Sequence, residues 1–311
     1  MIHQTLPLRS FAYLFILSCL HGGITHADDV SISFIESQPI PNIEIDGRAA
    51  HIHTQGIFVD KQHIYVTGRL ENKPKRPLFL RFDRKNPASF SFIDLNVGDD
   101  RLSNAQLDHP GGFDFDGECF WIPVAKSNPS GPSAIIRIKK DLQTPFESWK
   151  PKLAFVVDDH IGAIASQSKK GLLLGANWDT KQIYEWSIDG ILFSRTERSR
   201  WAADDPNWAL AVQDWKYAGV DGLNPQPVLV AGGLDKSPIR DAALPKSVVE
   251  IFDKERESIA RVHVSAVDEF RGHMTNEGLC VLNGDTLCLL PADIGHDAKL
   301  YFFKISVAKK N

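Results

Sequence analysis

Short runs rich in Val, Ile, Phe, Tyr and Trp recur along the chain between clusters of Gly, Asp, Asn and Pro, and helical periodicity is nearly absent. This is the pattern of many antiparallel strands, and it predicts an all-β protein. Within it one unit returns five times: a polar residue beside Gly, a short apolar strand, a tight turn, a strongly apolar strand, then small or polar residues. The first copy reads His53-Thr54-Gln55-Gly56-Ile57-Phe58-Val59, a turn at Asp60 to Gln62, and His63-Ile64-Tyr65-Val66-Thr67-Gly68-Arg69. The second runs from Asp108-His109-Pro110-Gly111-Gly112 through the turn Asp116-Gly117 to Trp121-Ile122-Pro123-Val124-Ala125-Lys126. Asp159-His160-Ile161-Gly162 with Asn177-Trp178, Gln213-Asp214-Trp215 with Val228 to Gly233, and Asn276-Glu277-Gly278 with Leu287 to Asp293 supply the others.

Measured from Tyr65 through Trp121, Leu173, Leu229 and Leu289, the spacings are 56, 52, 56 and 60 residues. That length fits one four-stranded blade of a β-propeller, whereas an ordinary β-sandwich predicts no such period. Further strands follow in each copy, but after Leu300 to Val307 the fifth lacks one, and the run Val30 to Ile35 has no partner in sequence. If the first strand completes the last blade, both orphan edges disappear. The prediction is therefore a five-bladed propeller closed by its N-terminal strand, with a six-bladed ring that absorbs Glu197 to Leu210 as the competitor.

The beginning of the chain adds a compartment. Arg9 precedes the apolar run Ser10 to Leu20, and the small-residue stretch Thr25-His26-Ala27 follows. This reads as a cleavable signal over residues 1–27, too short to span a membrane, so residues 28–311 form the propeller and the protein is exported to the periplasm or beyond. Loss of Arg9 makes the formal charge of −4 one unit more negative, and nothing in this balance invites nucleic acid. The expected protein is a monomer with no membrane span after processing. Three cysteines remain, Cys119, Cys280 and Cys288, and Asn283-Gly284-Asp285 lays the last two opposite each other if that loop has three residues. A disulfide and a pair of buried thiols both fit.

In a propeller the innermost strands line a central channel, so equivalent positions of successive units converge on one axis. The strand starts supply His53 and Gln55, Asp108 and His109, Asp159 and His160, Gln213 and Asp214, and Asn276 and Glu277; the far ends of the second strands supply Arg69, Lys126, Asn177 and Asp293. Glu277, His109, His160 and His53 are the candidate acid–base groups. Glu277, Asp108, Asp159, Asp214, Asn276 and Asp293 carry hard oxygens suited to Ca²⁺, and converging imidazoles suit Zn²⁺. Gln55, Arg69, Lys126, Asn177, Trp178 and Trp215 are the candidate contacts to a small-molecule or peptide substrate. For each residue alone the plainer role is a hydrogen bond to the amides of a tight turn. No nucleophile elbow, phosphate loop or dinucleotide fingerprint is present. Metal-assisted hydrolysis or intramolecular acyl transfer on a small substrate is the expected activity, with a non-enzymatic binding propeller as the alternative; mutually bonded, buried groups favour the first and scattered exposed charges the second.

Three resemblances accompany this reading. His53-Thr54-Gln55-Gly56-Ile57 followed by His63-Ile64-Tyr65-Val66-Thr67-Gly68 resembles the opening of the plant and bacterial type of glutaminyl-peptide cyclotransferase, a secreted five-bladed propeller, although Val66 stands where that family carries Glu. Asn276-Glu277-Gly278, Asn177-Trp178 and the Asp-Gly turns resemble the calcium-dependent lactonase and gluconolactonase propellers. His109-Pro110-Gly111-Gly112 and Trp121-Ile122-Pro123-Val124-Ala125 look like a separate family of secreted propellers.

Overall fold

A computed structural model of the chain describes residues 30–96, 106–202 and 205–308. The leader and its cleavage region, residues 1–27, lie outside the described residues. Five antiparallel sheets form the ring, one per repeated unit. Blade one comprises Ile52–Val59, His63–Leu70, Arg76–Asp83 and Phe90–Asp94. Blade two has an inner edge in two pieces, His109–Pro110 and Asp114–Phe115, then Cys119–Ala125, Ser133–Lys139 and Lys152–Val157. Blade three comprises Ile161–Gln167, Leu172–Asn177, Gln182–Ser187 and Leu192–Glu197. Blade four is built from Leu210–Val220, Asn224–Asp235, Ser247–Phe252 and Ser258–His263.

Blade five holds Gly278–Leu282, Thr286–Leu290 and Lys299–Val307, and its outermost strand is Val30–Pro39, in register from Val30 opposite Val307 to Pro39 opposite Lys299. The N-terminal strand therefore closes the ring as its unpartnered pattern implied. The six-bladed alternative is overturned: residues 198–200 are a single 3-10 turn, and Trp201 behind it is buried against Trp215 and Phe252. That segment fills the seam between blades three and four. A small hairpin, Glu44–Ile45 with Arg48–Ala49, was not foreseen.

Apolar faces of neighbouring blades pack into separate cores, one for each junction of the ring. Each junction also carries a fully buried hydroxyl that bonds backbone the ladders cannot reach. Thr54 donates to Ala292 (blades one and five), Thr67 to Gly111 (one and two), and Ser133 to Asp159 while accepting from Ile161 (two and three). Thr180 accepts from Val212 (three and four), and Thr275 donates to Gly233 while accepting from Val248 (four and five). An unpaired buried backbone group would cost about 1–3 kcal/mol, so these hydroxyls let the inner edges meet without water.

Carboxylates continue the scheme at the axis. Asp214, fully buried, accepts the amides of Ile57 in blade one at 3.2 Å, Leu279 in blade five at 3.0 Å and Trp215 in its own strand at 3.0 Å. It also pairs with buried Lys216, whose ammonium lies 5.4 Å from the Phe113 ring centre. Asp114 joins blade two to blade three by accepting the Ser166 amide at 2.9 Å. Burial pushes the Asp214 carboxyl up to about 6 against the pull of Lys216, and the Asp114 carboxyl up to about 7. The sequence motif Gly111-Gly112 marks the tightest approach. A methyl group on Gly111 would sit 2.1 Å from the Gly162 carbonyl oxygen, and one on Gly112 would sit 2.5 Å from that of Gln213. Without side chains there, Gly112 exchanges backbone hydrogen bonds with Gly162 and Ile164 across the blade boundary.

Cys280 faces Cys288 across the three-residue loop Asn283-Gly284-Asp285, and both are buried free thiols, as is Cys119. No helix among the described residues is long and apolar enough to cross a membrane.

Removing one partner of a buried ion pair leaves the other charge uncompensated. Lys216→Met should lower the unfolding free energy by about 3–5 kcal/mol near neutral pH, read by denaturant titration. Because Asp214 has a raised pKa, its charge disappears below about pH 6, so the loss should shrink on acidification. An equal loss at all pH values would contradict this account.

Candidate functional site

The repeated polar positions reach the channel mouth through a shared local device. Registers slip between Thr54 and Gly56, between Ile161 and Ala163, and between Val212 and Asp214. The residues in between, Gln55, Gly162 and Gln213, are β-bulges, and each lines one cavity of about 210 Å³ at the start of the inner strands. A bulge re-aims a side chain that strict alternation would bury in the blade. In blade two the break at Gly111-Gly112 serves the same end, leaving His109 on the cavity wall. Glu277 and Asn276 enter from blade five, His160, Asn177 and Trp178 from blade three.

A hydrogen-bonded relay links the deepest group to the rim. The Gln55 amide nitrogen donates both hydrogens, one to Glu277 Oε2 at 3.0 Å and one to His53 Nε2 at 2.9 Å. His53 Nδ1 then donates to Asp293 Oδ1 at 3.0 Å, and His51 reaches Asp293 Oδ2 at 3.1 Å. Glu277 is only 4% exposed, and its second oxygen accepts from Asn276. Burial, with the Asp293 charge adding to it, holds the Glu277 carboxyl well above its ordinary value despite the Asn276 amide. Burial would also raise Asp293, but the bonds and charges of His53 and His51 outweigh it and hold that carboxyl low. Two carboxyl groups in one hydrogen-bonded chain are thus shifted in opposite directions, Glu277 up and Asp293 down.

Three imidazoles form an arc, with ring centres 5.8 Å apart for His53 and His109 and 5.9 Å for His109 and His160. Arg69, paired with Glu71, faces His109 Nδ1 at 3.3 Å. A guanidinium only donates, so Nδ1 is the acceptor and the His109 proton sits on Nε2. Burial first, then the Arg69 charge, push His109 down to about 3 and keep it neutral. His160 is the opposite tautomer: Nδ1 donates to the Asn128 carbonyl at 2.6 Å, and Nε2 keeps its lone pair. Burial lowers His160 too, and Trp178 stands edge-on to it at 4.8 Å.

Glu277, His53, His109, His160, Gln55, Asn276, Asn177 and Trp178 therefore meet as anticipated, whereas other candidates do not. Trp215 is buried beside Trp201 at 6.1 Å, because the bulge at Gln213 turns Asp214 to the axis and Trp215 into the blade. Asp214 ties strands together below the mouth. Asp159 accepts from Asn177, Tyr184 and its neighbouring amide at His160, which also occupies the Asn177 amide. Asp108 bonds Ser127, and the Lys126 chain lies against Gly131 in the blade-two loop, away from the cavity wall. Arg69 and Asp293 stand one layer back.

The calcium or zinc expectation meets this same difficulty. Glu277, Asp159, Asp214 and Asp293 already hold hydrogen-bond donors on both oxygens, and no three His, Cys, Asp or Glu side chains among the described residues gather as a metal-binding group. The donor set present does not fit a metal ion. Asp179 and Lys236, an ion pair on the cavity wall, were missed. Lys236 lies just past the end of the second strand of blade four, where the rule that found Arg69 and Asp293 places a polar residue; Asp179 adopts a left-handed backbone at φ 58° that sequence alone conceals.

Among comparisons with known proteins, one solved structure with a TM-score above 0.5 shares the fold. Residues 94–221 match the model of a family described as "Family of unknown function (DUF6454)", a span that includes His109 to Gly112 and Trp121 to Ala125. No curated protein matches the chain in sequence. A protein from Parabacteroides distasonis, provisionally described as a glycoside hydrolase, aligns over 90% of this chain and 98% of its own at TM-score 0.52 and 13% identity. Regucalcin, a calcium-binding protein from Agrobacterium tumefaciens, aligns over 84% and 96% at TM-score 0.46 and 8% identity. A β-xylosidase/α-arabinofuranosidase from a compost metagenome, in a calcium-free form with xylotriose, aligns over 90% and 96% at TM-score 0.48 and 10% identity. At these identities the first likeness concerns the fold.

A carboxyl with a raised pKa in the folded protein stabilises the fold below its unfolded pKa and loses that contribution as pH rises through the folded value. Glu277→Gln should therefore raise the melting temperature by about 2–4 °C at mildly alkaline pH. The difference should vanish near pH 4, where both side chains are neutral, and thermal scans at the two pH values check it.

Proposed function

We propose that the channel mouth is a metal-free acid–base site that hydrolyses an acyl–oxygen bond in a small ester or lactone. The observation that carries this reading is the buried Glu277 carboxyl, its pKa pushed up by burial, hydrogen-bonded through Gln55 and His53 to Asp293, whose pKa is held down by its histidines. Scattered, solvent-facing charges would have favoured a binding module, and these groups are buried and mutually bonded instead. The hydrolase description of the Parabacteroides distasonis protein belongs to that protein, since a shared propeller transfers no chemistry.

The roles follow from tautomer and protonation. His160 Nε2 takes a proton from water as the water oxygen attacks the carbonyl carbon. His109 Nε2–H, fixed as a donor by Arg69, stabilises the oxygen on which negative charge develops, as a neutral imidazole can. Glu277 gives its proton to the oxygen of the breaking bond, so one water is divided between acyl and leaving groups. The proton on His160 then returns to Glu277 through solvent. Intramolecular acyl transfer uses the same groups with the peptide's own amine in place of water: the amine gives its proton to His160, the side-chain amide C–N bond breaks, and Glu277 protonates the departing ammonia, which makes N-terminal glutaminyl peptides the second substrate class to test.

Activity should trace a bell in pH. The acid limb belongs to His160 and lies below the ordinary imidazole value, and the alkaline limb belongs to Glu277 and lies above the ordinary carboxylate value. On a panel of esters, lactones and glutaminyl peptides, Glu277→Gln should reduce kcat/KM by about 100- to 10,000-fold and remove the alkaline limb. Turnover of none of them, or stoichiometric calcium or zinc that Glu277→Gln releases, would overturn the proposal.

A further inference from the structure

At the end of the ring opposite the mouth, blades two and three carry an exposed apolar edge beside a dense basic patch, and we infer that this edge docks on an anionic lipid surface. Strand registers fix its position. Ala125 pairs with His109 at the mouth, so Cys119 and its partner Lys139 lie at the far end of blade two. Leu172 and Ser187 pair at the far end of blade three, where Asn177 marks the mouth.

Of the nine large apolar side chains exposed among the described residues, four lie in one hairpin there: Ile188 (37%), Ile191 (62%), Leu192 (52%) and Phe193 (60%). Leu142, 58% exposed, follows the blade-two strand that ends at Lys139 at the same far end. Soluble surfaces scatter such residues singly, and a concentration of them marks an interaction site. The hairpin is not loose: Gly190 packs against Phe155 so tightly that a methyl group there would sit 2.6 Å from its ring.

Cations flank this edge. Arg137, Lys139, Lys150 and Lys152 share with Ile188 the wall of a cavity of about 300 Å³, and Lys169 and Lys170 form the turn next to it, joined by the Ile188 amide to the Gly171 carbonyl. The nearby acids are largely engaged. Asp116 holds the amides of Glu118 and Cys119 and the Trp121 indole, Glu118 pairs with Lys139, and Asp141 caps Gln143. Asp189 at the hairpin turn is the acid that remains among the apolar residues. A local excess of positive charge on a chain of formal charge −4 is selective for an anionic partner.

Two features favour lipid over protein. Lysine is depleted at the centre of protein interfaces, whereas lysines beside aliphatic and aromatic side chains are the composition of surfaces that lie in headgroups. The apolar residues also cluster at a hairpin turn, a shape that enters an acyl boundary, and the cavity beside it is walled chiefly by charged side chains.

The test is flotation of the full chain with vesicles of phosphatidylcholine alone or with roughly 30% phosphatidylglycerol. Wild type should float with the anionic vesicles and not the neutral ones, and high salt should release it. Ile191→Ser/Phe193→Ser and Lys150→Gln/Lys152→Gln exchange exposed side chains and should fold normally by melting temperature, yet each should weaken vesicle binding by about tenfold or more. Failure to float, equal flotation on neutral vesicles, or unaltered binding by both variants overturns the inference. Sedimentation equilibrium covers the other occupant: a dimer that the Phe193 variant dissociates, without vesicle binding, makes the edge a contact between copies of this chain.

Discussion

Closing five sheets around one axis brings inner-strand backbone together where no ladder can pair it, and the rest of the structure depends on how those groups are satisfied. Thr54, Thr67, Ser133, Thr180 and Thr275 bridge the junctions, one at each. Asp214 gathers amides from three strands at the axis itself. A carboxylate there is costly to desolvate, and Lys216 offsets that cost only by being buried as well. The ion pair therefore contributes geometry more than energy: it fixes blades one, four and five at one point, and the Gly111-Gly112 crossing fixes blades two and three beside it. With the axis filled below, the channel ends in a floor, and the mouth becomes a cup with a buried base.

That floor explains the electrostatics of the cup. Glu277 has little water to stabilise its anion, and the nearest negative charge, Asp293, is already claimed by two histidines. Protonation is the inexpensive solution for a carboxyl so placed. His109 and His160 meet the same constraint from the other side, since a buried imidazolium costs as much as a buried carboxylate. Arg69 and the Asn128 carbonyl then decide which ring nitrogen holds each proton. Desolvation sets the protonation states, and hydrogen bonds set the tautomers. Neither would survive if the axis were open to solvent from below.

Much of this was legible in the sequence, because a propeller repeats one pattern at a nearly constant interval. The blade count, the role of Val30–Pro39 and the convergence of His53, His109, His160, Gln55 and Glu277 all follow from aligning copies. The errors share one cause. Position in the repeat places Asp214 and Trp215 at the rim, but the bulge at Gln213 turns Asp214 to the axis and Trp215 into the blade, and bulges leave no signature in one sequence. For the metal expectation, no gathered metal-binding group is seen among the described residues, for a related reason. Position in the repeat says that carboxylates converge and says nothing of the donors already bound to them, and Asp159 with Tyr184 and Asn177 is such a case. Lys236 was hidden by the irregular length of blade four, whose first two strands run to 11 and 12 residues.

The two ends of the ring solve different physical problems with the same strands. At the mouth, charges are paired inward: Lys236 with Asp179, Arg69 with Glu71, Asp293 with His51 and His53. Such a surface has little long-range field and suits a neutral polar ligand that must displace water and bond to fixed dipoles. At the far end of blades two and three, cations outnumber the carboxylates beside them, with Lys139 paired to Glu118, and stand next to apolar side chains, which projects a field and suits an extended anionic surface. Because the inner strands are locked at the axis, neither end can relax toward the other. A contact made at the blade-two and blade-three edge therefore orients the whole ring as a rigid body, with the mouth turned away from that surface and open to solvent.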